Sequence, residues 1–165
     1  MKYAVAFVLL AVAALFQTSA VPAFTVLGVH PNIVLVVLLS WAMVRGLNEA
    51  MVLVPMGTLT LGLMDGQLLG ASLLAAMPVV LLTEIREARI IQGDFLLAVL
   101  LIILSTLAYE TIFLVTLRLT GETVQWWGSF VRLAIPAAIV NALLVPPAYG
   151  LLWLGGGGLR RVSPL

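Results

Sequence analysis

The sequence predicts an all-α, polytopic transmembrane helical bundle of about six spans, with residues 1–165 forming a single integral membrane domain. Two observations carry this. First, the chain is 63% hydrophobic and only 9% charged, whereas a soluble domain carries about 25% charged residues. Second, long apolar runs recur from end to end, so the solvent for most of the surface must be lipid. Lipid offers no water to unpaired backbone groups, which leaves helices or a closed barrel as spanning structures. The runs lack period-two alternation, and that rejects the barrel.

Six apolar segments follow in order, at roughly 3–20, 31–44, 50–64, 67–83, 94–117 and 131–154. Lys2, the apolar stretch after it and Thr18-Ser19-Ala20 resemble a cleavable signal peptide. We read this stretch as the first membrane helix. Val21-Pro22 and His30-Pro31-Asn32 bound the first loop, and Arg45 to Glu49 separates the second and third segments. Asp65-Gly66-Gln67 marks a tight turn, residues 84–89 are the most polar stretch, and residues 118–130 hold the last sizeable loop as a short interfacial stretch. Segment 95–117 is long enough to cross the hydrocarbon as a helix at about 1.5 Å per residue. Segments two and three are too short for that. They are buried in the bundle, thin the bilayer locally, or form a re-entrant hairpin. Gly155 to Gly158 reads as a flexible link to Arg160-Arg161.

Lys and Arg set the orientation. With both termini cytoplasmic, Lys2, Arg45, Arg86, Arg89, Arg160 and Arg161 face the cytoplasm, and only Arg118 and Arg132 lie near the outer face. Tyr3, Trp41 and Trp153 then fall at the inner interface, and Trp126 and Trp127 at the outer one. A net charge of about +1 gives no footprint for nucleic acid. The absence of cysteine excludes disulfides and thiolate chemistry.

Residues able to do chemistry are few. His30 is the single histidine and reads as a solvated loop residue. No metal spacing, phosphate loop or nucleophile elbow is present, so no cofactor or catalytic residue is expected and the chain is read as no enzyme. Ser72, Ser105 and Ser129 have no histidine partner for a hydrolytic triad. Glu110 is the costliest residue, since a charge at mid-span costs roughly 2.5–3.5 kcal/mol on insertion scales. Its two readings are an ion pair with Arg118 or Arg132 (or snorkelling), and a proton- or solute-handling role. Gln17 and Asn141 are amides within spans, where interhelical hydrogen bonds are worth about 0.6 kcal/mol on average. Gln17, Glu110, Arg118, Arg132 and Asn141 are therefore the candidates for an intramembrane polar network. Gly62, Gly66 and Gly70 recur every four residues. On one helix they form a smooth stripe for close helix approach; if Asp65-Gly66 is a turn, they supply turn geometry. Asp65 caps segment four or binds a partner. Pro55, Pro78, Pro136 and Pro146-Pro147 interrupt spans and are able to kink them.

The whole chain resembles the rod-shape-determining membrane protein family MreD. The resemblance rests on Leu15-Phe16-Gln17-Thr18 closing the first helix, and on Gly28-Val29-His30-Pro31-Asn32 before a hydrophobic span. It continues through Arg45-Gly46, Gly57, Gly62-Leu63-Met64-Asp65 and Gly70. It is densest over residues 15–75, and beyond them rests on hydropathy and length. It implies a helical arrangement similar to the substrate-binding subunits of energy-coupling-factor vitamin transporters. It implies a scaffold of the bacterial cell-wall elongation complex in the cytoplasmic membrane. The direct partner would be single-span MreC, and the indirect partners RodA, its penicillin-binding transpeptidase and MreB.

Two functions are weighed. The scaffold reading predicts that Gly62, Asp65, Gly66 and Gly70 grip the MreC transmembrane helix. The rival is a small-solute transporter subunit, with Glu110, Gln17, Asn32 and Asn141 lining a midplane pocket. Those subunits commonly dock through an Ala-x-x-x-Ala stripe on helix one. Here Ala4, Ala6, Ala11, Ala13 and Ala14 are followed four residues on by Val8, Leu10, Leu15, Gln17 and Thr18.

Overall fold

The computed structural model describes residues 2–20, 23, 25–65, 69–87 and 94–156. Among them the regular elements are helices, and one isolated bridge joins Val26 and Val29 in a loop. The elements are α1 (Lys2–Ser19), α2 (Ile33–Arg45), α3 (Leu47–Asp65), α4 (Leu69–Glu87), α5 (Asp94–Leu119), α6 (Trp126–Ser129) and α7 (Ile135–Gly156). A π-helical turn, Phe130–Ala134, joins α6 to α7 into one rod. The six rods match the six predicted segments, with shifted ends.

The shifts have physical causes. Segment three is longer than predicted, because Asn48 and Glu49 belong to α3. Only Gly46 separates it from α2, at φ 91°, a left-handed conformation that a glycine adopts without steric cost. At 19 residues α3 reaches about 28 Å. The polar stretch begun at Glu84 continues α4 through Glu87; Ala88 and Arg89 lie outside the described residues. Gly155 and Gly156 close α7 rather than forming a link, while Gly157, Gly158, Arg160 and Arg161 lie outside the described residues. After α5 the chain turns at Thr120-Gly121 and runs irregularly to Gln125, and helix resumes at Trp126.

Pro55, Pro78, Pro146 and Pro147 all sit inside helices. Pro136 has the clearest local effect. Its ring lacks an N–H and crowds the carbonyl four residues back. The helix loosens directly before it, and the Ile135 N–H donates to the Phe130 carbonyl five residues earlier. Threonine hydroxyls find acceptors on their own helices: Thr58 Oγ1 donates to Val54 O at 2.7 Å and Thr60 Oγ1 to Met56 O at 2.7 Å.

α2 is the centre of the bundle, in contact with α1, α3, α4, α5 and α7. Nine of its 13 residues are buried, from Val34 to Met43. Of the alternatives for the two short segments, burial inside the bundle describes α2. A helix surrounded on all sides needs no polar face, which is why its sequence is apolar all round. Leu38 and Leu39 belong to one buried core with Leu10 and Ala14 of α1 and Leu53 and Val54 of α3.

The outward faces are apolar too. Val5, Val8, Val12, Leu63, Leu81, Leu96, Leu143 and Leu151 are all exposed. Two helical stretches, Val99–Leu119 and Trp126–Leu152, are long and apolar enough to cross a membrane, yet only 33% of an 18-residue apolar window in each is buried. The core helix of a soluble protein would be mostly buried. These windows bury a third and present hydrocarbon outward.

A tight hairpin leads into α2. Val26 and Val29 exchange both backbone hydrogen bonds, at 3.0 and 3.1 Å. Leu27 and Gly28 between them have φ 56° and 80°, the pattern of a type I′ turn. For leucine the left-handed region costs roughly 1–2 kcal/mol. The turn carries Val29 into contact with Ala137 and Val140 of α7.

Candidate functional site

The head of α2 gathers the polar side chains. A helix start leaves its first N–H groups without internal partners. Three side-chain oxygens from three elements take those protons. Asn32, the N-cap, accepts from the Leu35 N–H at 3.0 Å. Gln17 of α1 accepts through Oε1 from the Val34 N–H at 2.9 Å. Asn141 of α7 accepts through Oδ1 from the Asn32 N–H at 2.8 Å. Asn141 Nδ2 then donates to Thr106 Oγ1 of α5 at 3.2 Å. Asn141 and Thr106 are both fully buried. The cluster therefore ties α1, α5 and α7 to the central helix.

Two predicted network members, Gln17 and Asn141, meet here, and Asn32 of the predicted pocket joins them. Thr106 is the member that sequence reasoning missed. Its signal was its spacing, one turn before Glu110 on the same face of α5. Glu110 is half-buried, while Arg118 and Arg132 are exposed. Among the described residues Glu110 forms no ion pair with either arginine, so the predicted bridge between helices five and six is absent. The arginines extend outward at the ends of their spans, and Glu110 lies deeper.

The glycine series divides between two helices. Gly62 is buried in α3, which ends at Asp65, and Gly70 is exposed in α4, which starts at Leu69. Gly62 and Gly70 thus share no stripe on one helix. Gly66 lies outside the described residues. Asp65 is the last residue of α3 rather than a cap on α4. A Cβ added at Gly70 meets nothing within 4 Å, so this position faces open space.

Compared with known proteins, the chain matches no family model, no curated protein and no solved structure.

At the opposite end of α2, Trp41 is buried rather than displayed as an interfacial anchor. Its Nε1–H donates to Glu49 Oε2 at 3.0 Å. The Arg45 guanidinium sits 5.6 Å from its ring centroid, within cation–π range. Trp126 and Trp127 are exposed. The Trp153 and Tyr3 side chains, like those of Lys2 and Arg86, lie outside the described residues. His30 is exposed at the end of the hairpin. Among the described residues no three His, Cys, Asp or Glu side chains converge to hold a metal.

The Ser40 and Ser105 hydroxyls are buried with no hydrogen-bond partner. An unpaired buried hydroxyl is a net cost, and alanine removes it with little change of volume. Ser105→Ala is therefore expected to leave stability unchanged or raise it by up to about 1 kcal/mol. Thermal unfolding in mild detergent checks this, and a clear loss of stability would expose a partner for the hydroxyl.

Proposed function

We propose that this chain is a non-enzymatic, multi-pass scaffold of the bacterial cytoplasmic membrane, of the MreD kind, with both termini in the cytoplasm. In this reading it binds the transmembrane helix of MreC. Through MreC it joins the elongation machinery of RodA, its penicillin-binding transpeptidase and MreB, helping to maintain rod shape. The observation that carries the reading is the division of polar and apolar groups. The amides at the head of α2 accept hydrogen bonds from its backbone and Asn141 donates to Thr106, while the outward faces of the helices are largely hydrocarbon. Such a body has adhesive faces for other membrane helices. In lipid those faces associate by van der Waals packing at small residues rather than by a hydrophobic drive.

The end of α3 and the start of α4 form the proposed MreC contact, with Gly62, Asp65, Gly66 and Gly70 as its candidates. Gly70→Leu is the cleanest test, because the added side chain enters open space and leaves the fold intact. When the chain is co-expressed with MreC, this variant should retain at least about tenfold less MreC than the wild type, equivalent to about 1.4 kcal/mol. Wild-type retention by a normally folded Gly70→Leu protein would remove this contact.

The transporter-subunit reading gains one point: Gln17, Asn32 and Asn141 do come together. Their oxygens, however, are occupied by backbone N–H groups. Among the described residues, the groove between α1, α2 and α7 is lined by Leu, Val, Ile, Phe, Ala and Pro alone. Saturable uptake or retention of a polar solute by the purified chain would favour this second reading.

A further inference from the structure

α1, α2 and α7 leave between them a groove of about 430 Å³, walled by residues that include Phe16, Val36, Leu144 and Ala148. It shares Leu9 and Leu152 with a smaller cavity of about 140 Å³, which adds Trp41 and Arg45. The combined cleft is thus hydrocarbon along most of its length, with Arg45 the single charged residue in its walls among the described residues. We propose that this cleft holds one anionic phospholipid, with an acyl chain along α2 and the phosphate at Arg45.

Length, charge and chemistry argue for this occupant. Ile33 and Arg45 mark the ends of the cleft on α2, and twelve residues at the helical rise span about 18 Å. One leaflet supplies about 15 Å of hydrocarbon, half of the roughly 30 Å core. A crossing partner helix needs about twice the length of the cleft and a width of about 10 Å. The cleft therefore fits a chain from one leaflet better than a membrane-spanning helix. Arg45 provides the charge. Among the described residues no carboxylate pairs with it, because Glu49 accepts from Trp41 instead. Stacking on the Trp41 ring holds the guanidinium in place while leaving its N–H groups available to a phosphate.

The inference rests on the membrane reading alone and is independent of MreC. The test reconstitutes the purified chain into vesicles of equal phosphatidylglycerol and phosphatidylcholine. The protein is then extracted in mild detergent, and retained lipid is counted by native mass spectrometry. Resistance of the vesicle-bound chain to alkaline extraction tests the membrane reading separately. The wild type should keep one phosphatidylglycerol, at about fivefold preference over phosphatidylcholine. Arg45→Gln should abolish the preference, Arg45→Lys should keep most of it, and Ala148→Phe, which fills the groove, should reduce retention of both lipids. Equal retention of the two lipids by the wild type overturns the proposal. So does undiminished retention by Ala148→Phe, an outcome that decides the matter even if Arg45→Gln fails to fold.

Discussion

Asn141→Leu should destabilise the folded protein by about 2–3 kcal/mol. The average interhelical side-chain hydrogen bond in a membrane is worth only about 0.6 kcal/mol, so the larger figure needs a reason. Asn141 Oδ1 accepts a backbone N–H at the start of the central helix. Removing it leaves a part-buried donor at the head of the central helix without its partner, and an unsatisfied group costs more than the bond that satisfied it. The Thr106 hydroxyl also loses its donor. Asn141→Asp keeps an acceptor facing a helix N-terminus, where negative charge is favourable, and should be milder. Unfolding of the purified chain in mixed micelles, titrated with a denaturing detergent, measures both variants. Equal stabilities for Asn141→Leu and the wild type would show that the cluster does not hold α7 to α2.

The second large effect is expected at Gly57 of α3. A Cβ there would lie 3.2 Å from Leu38 Cδ2 and 3.3 Å from Leu10 Cδ1. α1, α2 and α3 therefore meet at a position with room for a hydrogen and little more. Both contacts are the ends of flexible leucine side chains, so Gly57→Ala requires shifts of a few tenths of an ångström and should cost less than about 1 kcal/mol. Gly57→Leu adds three further carbons with no space to enter and should cost about 1–3 kcal/mol by forcing the helices apart. The same detergent titration gives the comparison. Equal stabilities for the alanine and leucine variants would mean that α1 moves freely away from α3.

The two positions differ in how far the sequence exposed them. Asn141 stood out because an amide within an apolar span must find a partner, and Gln17 stood out for the same reason. Neither partner was legible, since the groups they satisfy are backbone N–H groups of α2, which every residue possesses. Thr106 was hidden because threonine is able to satisfy itself on its own helix, as Thr58, Thr60, Thr111 and Thr116 do. Glu110 was read through its charge toward Arg118 and Arg132, yet the geometry leaves both arginines outside its reach. The spacing of Gly62, Gly66 and Gly70 suited a helical stripe or a turn equally well, and the tertiary structure puts Gly62 on α3 and Gly70 on α4.

By itself, the sequence determined the secondary structure and the partition between apolar and polar groups. Both follow from composition: long hydrocarbon runs form helices because their backbone must hydrogen-bond internally, and six runs produced six rods. Tertiary structure alone decided which rod is central. Hydropathy does not separate a helix facing lipid from one facing other helices, because both surroundings are apolar. α2 is apolar through burial, whereas α1 is apolar partly through exposure, with Val5, Val8 and Val12 turned outward. The cleft ending at Arg45 is likewise a property of three helices meeting, and no one of them encodes it.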